Sequence, residues 1–145
     1  MKRIGLICGG FSSEYDISIK SAQTIQKNFP DHLECLLIEM SRANWQERLQ
    51  IAGEIDAAII YTHGDPGENG RIQAYLDMLQ IPYINSGVLA SALSFDKWYC
   101  NQFLKGFGIP VAKSLVLKPF NSMNAIAIKS PITICAVVDE VGAKL

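Results

Sequence analysis

At 145 residues the chain can hold one medium-sized domain with its own core, or a small domain and a piece of a second, and two complete domains are not expected. Its 49% hydrophobic and 19% charged residues, with a formal net charge of −1, describe an ordinary globular protein, and the thinly spread lysines and arginines offer no footprint for nucleic acid. No apolar run approaches the length needed to span a membrane. The cysteines Cys8, Cys35, Cys100 and Cys135 fall at no metal-ligand spacing, so they read as core hydrophobes kept reduced in a cytoplasm.

In chain order, Met1-Lys2-Arg3 has the basic start of a signal peptide, but the apolar stretch behind it ends at Gly9-Gly10. Arg3 to Cys8 therefore reads as a strand buried on both faces of a parallel sheet. Ile17, Ala22, Ile25 and Phe29 recur at helical spacing until Pro30-Asp31 stops them. A second strand runs from Leu33 to Ile38, and Asn44 opens a short helix carrying Trp45, Leu49 and Ala52. Asp56 to Tyr61 is a third strand, ended by the turn formers from His63 to Gly70. Ile72, Tyr75, Leu76 and Leu79 mark the next helix, and Ile81 to Ile84 a short fourth strand.

The alternation is βαβαβαβ with crossovers long enough to return the chain parallel, which predicts an α/β fold: an open parallel sheet with helices on both faces. Ligands of such sheets sit beyond the carboxyl ends of the strands, and both glycine-bearing loops fall on that edge. After Ser86 the texture changes to an almost uninterrupted helical stretch from Gly87 to Gly108 and an extended piece from Val111 to Leu117. The expected organisation is residues 1–86 as the α/β domain, 87–117 as a helical linker and the start of a second domain, and 118–145 as a tail of unassigned fold.

The first loop, Gly9-Gly10-Phe11-Ser12-Ser13-Glu14-Tyr15-Asp16-Ile17-Ser18, lacks the third glycine of a dinucleotide fingerprint. Glu14 stands at the start of a helix, either to complement the macrodipole there or to meet a ligand. In the second loop His63 reads equally as a hydrogen-bonded structural residue or as a ligand contact, whereas Glu68, before Asn69-Gly70, reads first as a residue that primes the next helix. No second histidine or cysteine accompanies His63, so no metal site is expected.

The string from His63 to Gln73, His-Gly-Asp-Pro-Gly-Glu-Asn-Gly-Arg-Ile-Gln, is similar to the HGxxGEDGxxQ segment of D-alanine:D-alanine ligases. Ile81 to Lys97 resembles that family's IPYTGSGVLASALAMDK segment, and the first loop, Gly9 to Ser18, matches its GGxSxExxxS pattern. The resemblance covers roughly the first 117 residues and implies a Rossmann-like domain of the kind that precedes an ATP-grasp domain. It implies catalytic roles for Glu14, which would hold the ammonium of the first D-alanine, and for Ser18, which would support that site from the same helix. His63 would bind the same substrate, and Lys97 would reach ATP phosphate as a mobile point charge.

The implied reaction is ATP-dependent: one D-alanine becomes an acyl phosphate, which the amine of a second attacks, giving the dipeptide used in peptidoglycan. ATP and magnesium are the implied cofactors, D-alanine the substrate, and a homodimer the implied assembly, with neither membrane nor nucleic acid involved. Beyond Leu117 the sequence departs from the family, which would continue to a VKP-type lysine and a glycine-serine-rich phosphate loop. Neither Lys129 nor Lys144 has the flanking sequence for an ATP role, and the apolar stretch from Ile132 to Val138 has no family counterpart. The chain alone is therefore expected to bind ATP and magnesium weakly and to be inactive. The alternative is a non-catalytic binding or assembly module that keeps the fold, and a flavodoxin-like or dinucleotide-binding domain is poorer still, because neither loop has the glycine spacing.

Overall fold

The structure is a computed structural model and describes residues 1–117 and 133–136. It falls into two compact units, Met1–Ala92 and Leu93–Leu145, divided within the stretch read as a linker. The first unit is built on β1 (Lys2–Gly9), α1 (Tyr15–Lys27), β2 (Leu33–Met40), α2 (Trp45–Gln50), β3 (Ala57–Ile60), α3 (Arg71–Met78) and β4 (Tyr83–Ile84). The strands form one parallel sheet in the order β2-β1-β3-β4.

Alternation along the strands sorts the core into two layers, because successive side chains leave a strand on opposite faces. Leu6 and Cys8 of β1 pack with Ala22 of α1, and Ile19, Ile25, Cys35 and Leu37 join them. Ile7 points to the other face, where it meets Ile38, Met40, Ala58 and Ile60 beneath Leu49 of α2 and Ile72 and Leu76 of α3. Helices thus cover both faces, and each fully buried Leu or Ile contributes roughly 1.5–3 kcal/mol. Burial also pushes the Cys8 thiol up to about 12, and a coulombic contribution from Glu39 adds to it, so this cysteine behaves as a core hydrophobe.

Three boundaries differ from those read in the sequence. The helix at Trp45 is short and passes into a 3-10 turn, Ile51–Glu54. The stretch from Gly87 to Gly108 is two helices, α4 (Val88–Phe95) and α5 (Lys97–Gly106). Asp96 separates them in an extended conformation, its carboxylate accepting from the amides of Trp98 and Tyr99, so it caps α5 and ends the helical run. The extended piece narrows to β5 (Ser114–Leu117), which pairs in parallel with β6 (Thr133–Ala136). Lys129 and Lys144 lie outside the described residues, as does most of the tail. Among the described residues no helix is long and apolar enough to cross a membrane.

Candidate functional site

The strand order fixes where the site forms. From β1 the chain moves out to β2 and then crosses back to β3 on the other side, so the loops after β1 and β3 leave the sheet beside each other. A crevice opens at such a switch point. Gly9 makes the exit from β1 by a backbone turn at φ 85°, where an added Cβ would lie 2.3 Å from the Met40 carbonyl oxygen.

The two loops are tied together. The amide of Phe11 donates to the Asp65 carbonyl at 2.8 Å, and Ser12 Oγ donates to the His63 carbonyl at 2.8 Å. Beneath them Ser18, fully buried, accepts from the Gly9 amide at 2.9 Å and donates to the Tyr61 carbonyl at 2.6 Å. Ser18 therefore joins the end of β1 to the residue after β3 from inside the sheet edge, as a positioning residue.

Glu14 sits at the N-cap of α1, but its side chain makes no capping bond. Instead Ser12 Oγ accepts from the Glu14 amide at 3.2 Å, and the Glu14 carboxylate is exposed with no ion pair among the described residues. Its neighbour Tyr15 donates to Glu39 Oε1 at 2.5 Å, and that hydrogen bond to the carboxylate pushes the phenol up to about 12. The bond pins the first turn of α1 to the end of β2, which sets where Glu14 stands.

His63 is half-exposed, with its ring edge-on to Tyr61 at 5.6 Å. Its Nδ1 lies 3.6 Å from Glu68 Oε1, a separation that is an ion pair only when the imidazole is protonated and too long for a hydrogen bond. The rest of this loop is a rigid frame. Asp65 accepts from Asn69 at 2.6 Å and from Arg71 Nη1 at 2.9 and 3.1 Å, and Gln73 Nε2 donates to the Gly67 carbonyl at 2.6 Å. Gly67 permits the closest approach, since a Cβ there would fall 1.5 Å from Thr62 Oγ1.

The arrangement thus sets a free carboxylate and an imidazole on linked loops at one sheet edge, a pair suited to a zwitterion: the carboxylate meets an ammonium, the imidazole a carboxylate or carbonyl. Lys97 belongs to the second unit, where it opens α5 and is exposed. Among the described residues no group of three His, Cys, Asp or Glu converges to hold a metal ion. Sequence reasoning missed Ser12, the Tyr15–Glu39 pair and the Asp65–Arg71 clamp. Of these Ser12 had a signal, the serine position of GGxSxExxxS, and the clamp had another, a carboxylate and a guanidinium flanking a turn.

No family model matches the chain. It is 38% identical over 144 residues to the D-alanine–D-alanine ligase of Bacteroides thetaiotaomicron, an alignment covering 86% of this chain and 44% of that protein. The ligase of Bacteroides fragilis ATCC 25285 is 38% identical over 138 residues, covering 81% and 43% respectively. Among solved structures, the D-alanine–D-alanine ligase of Bacillus anthracis complexed with ATP matches at a TM-score of 0.70 and 32% identity, over 78% of this chain and 38% of that one. D-alanyl-alanine synthetase A of Vibrio cholerae matches at 0.66 and 28% identity, over 77% and 39%. With three ordered motifs, a matching fold and these relatives, of whose length it spans less than half, the chain belongs to the D-alanine–D-alanine ligase family.

Proposed function

We propose that the chain supplies the N-terminal half-site of an ATP-dependent D-alanine:D-alanine ligase, the part that receives the first D-alanine for a peptidoglycan precursor. Glu14 faces the substrate ammonium, His63 donates a hydrogen bond to the substrate carboxylate or balances its charge, and Ser18 holds their two loops in register. The observation that carries this reading is the linkage of both motif-bearing loops at the switch point through Ser12 and Ser18. Charge-assisted hydrogen bonds from groups held in fixed positions are strong enough to orient one amino acid.

When bound, ATP would supply the phosphoryl group that activates the first carboxylate, with magnesium offsetting its charge. Lys97, at the start of α5, is the cation this reading assigns to phosphate, and among the described residues no group of three His, Cys, Asp or Glu is placed to hold magnesium. This chain's own contribution is therefore to bind and orient D-alanine. A cytoplasmic setting and a homodimer belong to the same reading, the latter checked by sedimentation.

The test has two arms. The chain alone, with ATP, magnesium and D-alanine, is expected to release no phosphate above a heat-killed control. Joined to the remaining length of the Bacteroides thetaiotaomicron ligase it should form the dipeptide, and there Glu14→Gln should raise KM for the first D-alanine about 10–100-fold while leaving KM for ATP unchanged. An active fusion indifferent to Glu14→Gln would remove Glu14 from the site, and dipeptide formation by the chain alone would overturn the half-site reading.

A further inference from the structure

A second cavity lies on the face of the sheet opposite α1, in the first unit, and the site above does not use it. It is a groove of about 360 Å³ between α2 and α3, walled by Trp45 and Leu49 on one side and Tyr75 and Met78 on the other. That is the size range of small-molecule sites. One end is closed by Phe11 and Pro66, one residue from each of the two linked loops. The walls are apolar, yet Trp45 is 39% and Met78 76% exposed, so an indole and a thioether meet water at the mouth.

The rim is cationic. Arg71 lines the groove, and Asp65 engages only its Nη1, leaving Nε and Nη2 without a partner among the described residues. Arg42 holds its guanidinium 4.9 Å above the Phe11 ring, and among the described residues no carboxylate pairs with it. Asp65 is the carboxylate paired with Arg71, and Arg42 stands over Phe11 with no such partner among the described residues. A guanidinium with open donors on one edge matches a carboxylate bidentately.

We propose that this groove is a binding site for a small aromatic carboxylate, its ring between α2 and α3 and its carboxylate on Arg71, with Arg42 adding attraction from Phe11. A ligand seated there bears on Phe11 and Pro66. Phe11 donates its amide to Asp65, beside the Ser12–His63 hydrogen bond, so occupancy alters the environment of the His63 ring. The proposal stands apart from the D-alanine reading, since no readout below uses D-alanine.

The experiment titrates the whole chain, in a Trp98→Phe background so that Trp45 alone reports, with 3-phenylpropionate, following tryptophan emission and the NMR signals of the His63 ring. A saturable change in both is expected. The neutral 3-phenylpropionamide and the Arg71→Gln variant should each bind at least about tenfold more weakly. Two blocking variants, Ala74→Phe inside the groove and Met78→Asp at its mouth, should abolish the response in whichever keeps the parent circular dichroism and melting temperature. No saturation at millimolar probe overturns the proposal, as does equal affinity for the amide. It is also overturned if the chain sediments as a dimer that the blocking variants return to monomer, since a second copy would then be the occupant.

Discussion

Ser18 makes the plainest case at the scale of a residue. Its hydroxyl is the sole bridge inside the sheet edge between the Gly9 amide and the Tyr61 carbonyl among the described residues, and replacement by alanine leaves both buried groups unpaired. Ser18→Ala should cost about 1–3 kcal/mol by urea denaturation, the penalty of a buried group left unsatisfied. An unchanged midpoint would show that the two loops are held some other way. Tyr15 tests a different link, because its phenol is moved from 10.0 to about 12 by donating to Glu39. A group whose folded value is raised contributes stability that is fully present below its unfolded value and lost as the pH climbs through its folded value. The stability difference between the parent and Tyr15→Phe should thus be constant up to about pH 10 and shrink above it, toward nothing past about pH 12. A difference that stays flat from pH 8 to 11.5 would disprove the hydrogen bond as its source. That Glu14 and His63 share an edge was legible in the sequence, because glycine-marked strand ends and βα alternation leave few topologies. The Tyr15–Glu39 and Ser12–His63 bonds were not, since residues 24 and 51 positions apart meet only once the strand order is known.

At the scale of elements, strands were the most legible part, because buried parallel strands appear as compact apolar runs whose ends the turn formers mark. Their lengths were not. β2 runs on to Met40, two residues beyond the apolar stretch read from Leu33 to Ile38, because its pairing with β1 continues through Glu39↔Cys8 and Met40↔Gly9. The break between α4 and α5 was missed because apolar spacing continues across it, through Phe95, Tyr99 and Phe103. Its signal was Asp96, an N-cap residue in the middle of a helical pattern. The carboxylate accepts from two amides at 3.0 Å, and Asp96→Ala should therefore cost about 0.5–2 kcal/mol and speed amide exchange at Trp98 and Tyr99. Substitution by asparagine, which keeps an accepting oxygen, should recover most of the loss. Equal exchange in the alanine and asparagine variants would mean that packing, and not the cap, starts α5.

At the scale of the whole molecule, stability is expected to be uneven, and the reason lies in the two sheets. β1 sits in the middle of a four-stranded sheet, hydrogen-bonded on both edges, with Leu6, Ile7 and Cys8 fully shielded from water by helices above and below. Its amides open only when the first unit unfolds, because no smaller fluctuation exposes a central strand. β5 and β6 are four residues each and form a two-stranded parallel sheet, an arrangement that has little stability by itself in water. Parallel pairing also brings together strands well apart in the chain, and that closure costs entropy that a few hydrogen bonds repay only in part. Hydrogen exchange on the intact chain should therefore rank the amides of β1 and β3 slowest and those of β5 and β6 fastest among the strands, by at least about two orders of magnitude, equivalent to some 2.7 kcal/mol. Joining the chain to the remaining length of a relative should slow β5 and β6 more than β1, because a two-stranded sheet has far more protection to gain than a strand already buried at the centre of four. Exchange in β5 and β6 as slow as in β1, in the chain alone, would mean that the two sheets unfold as one cooperative body.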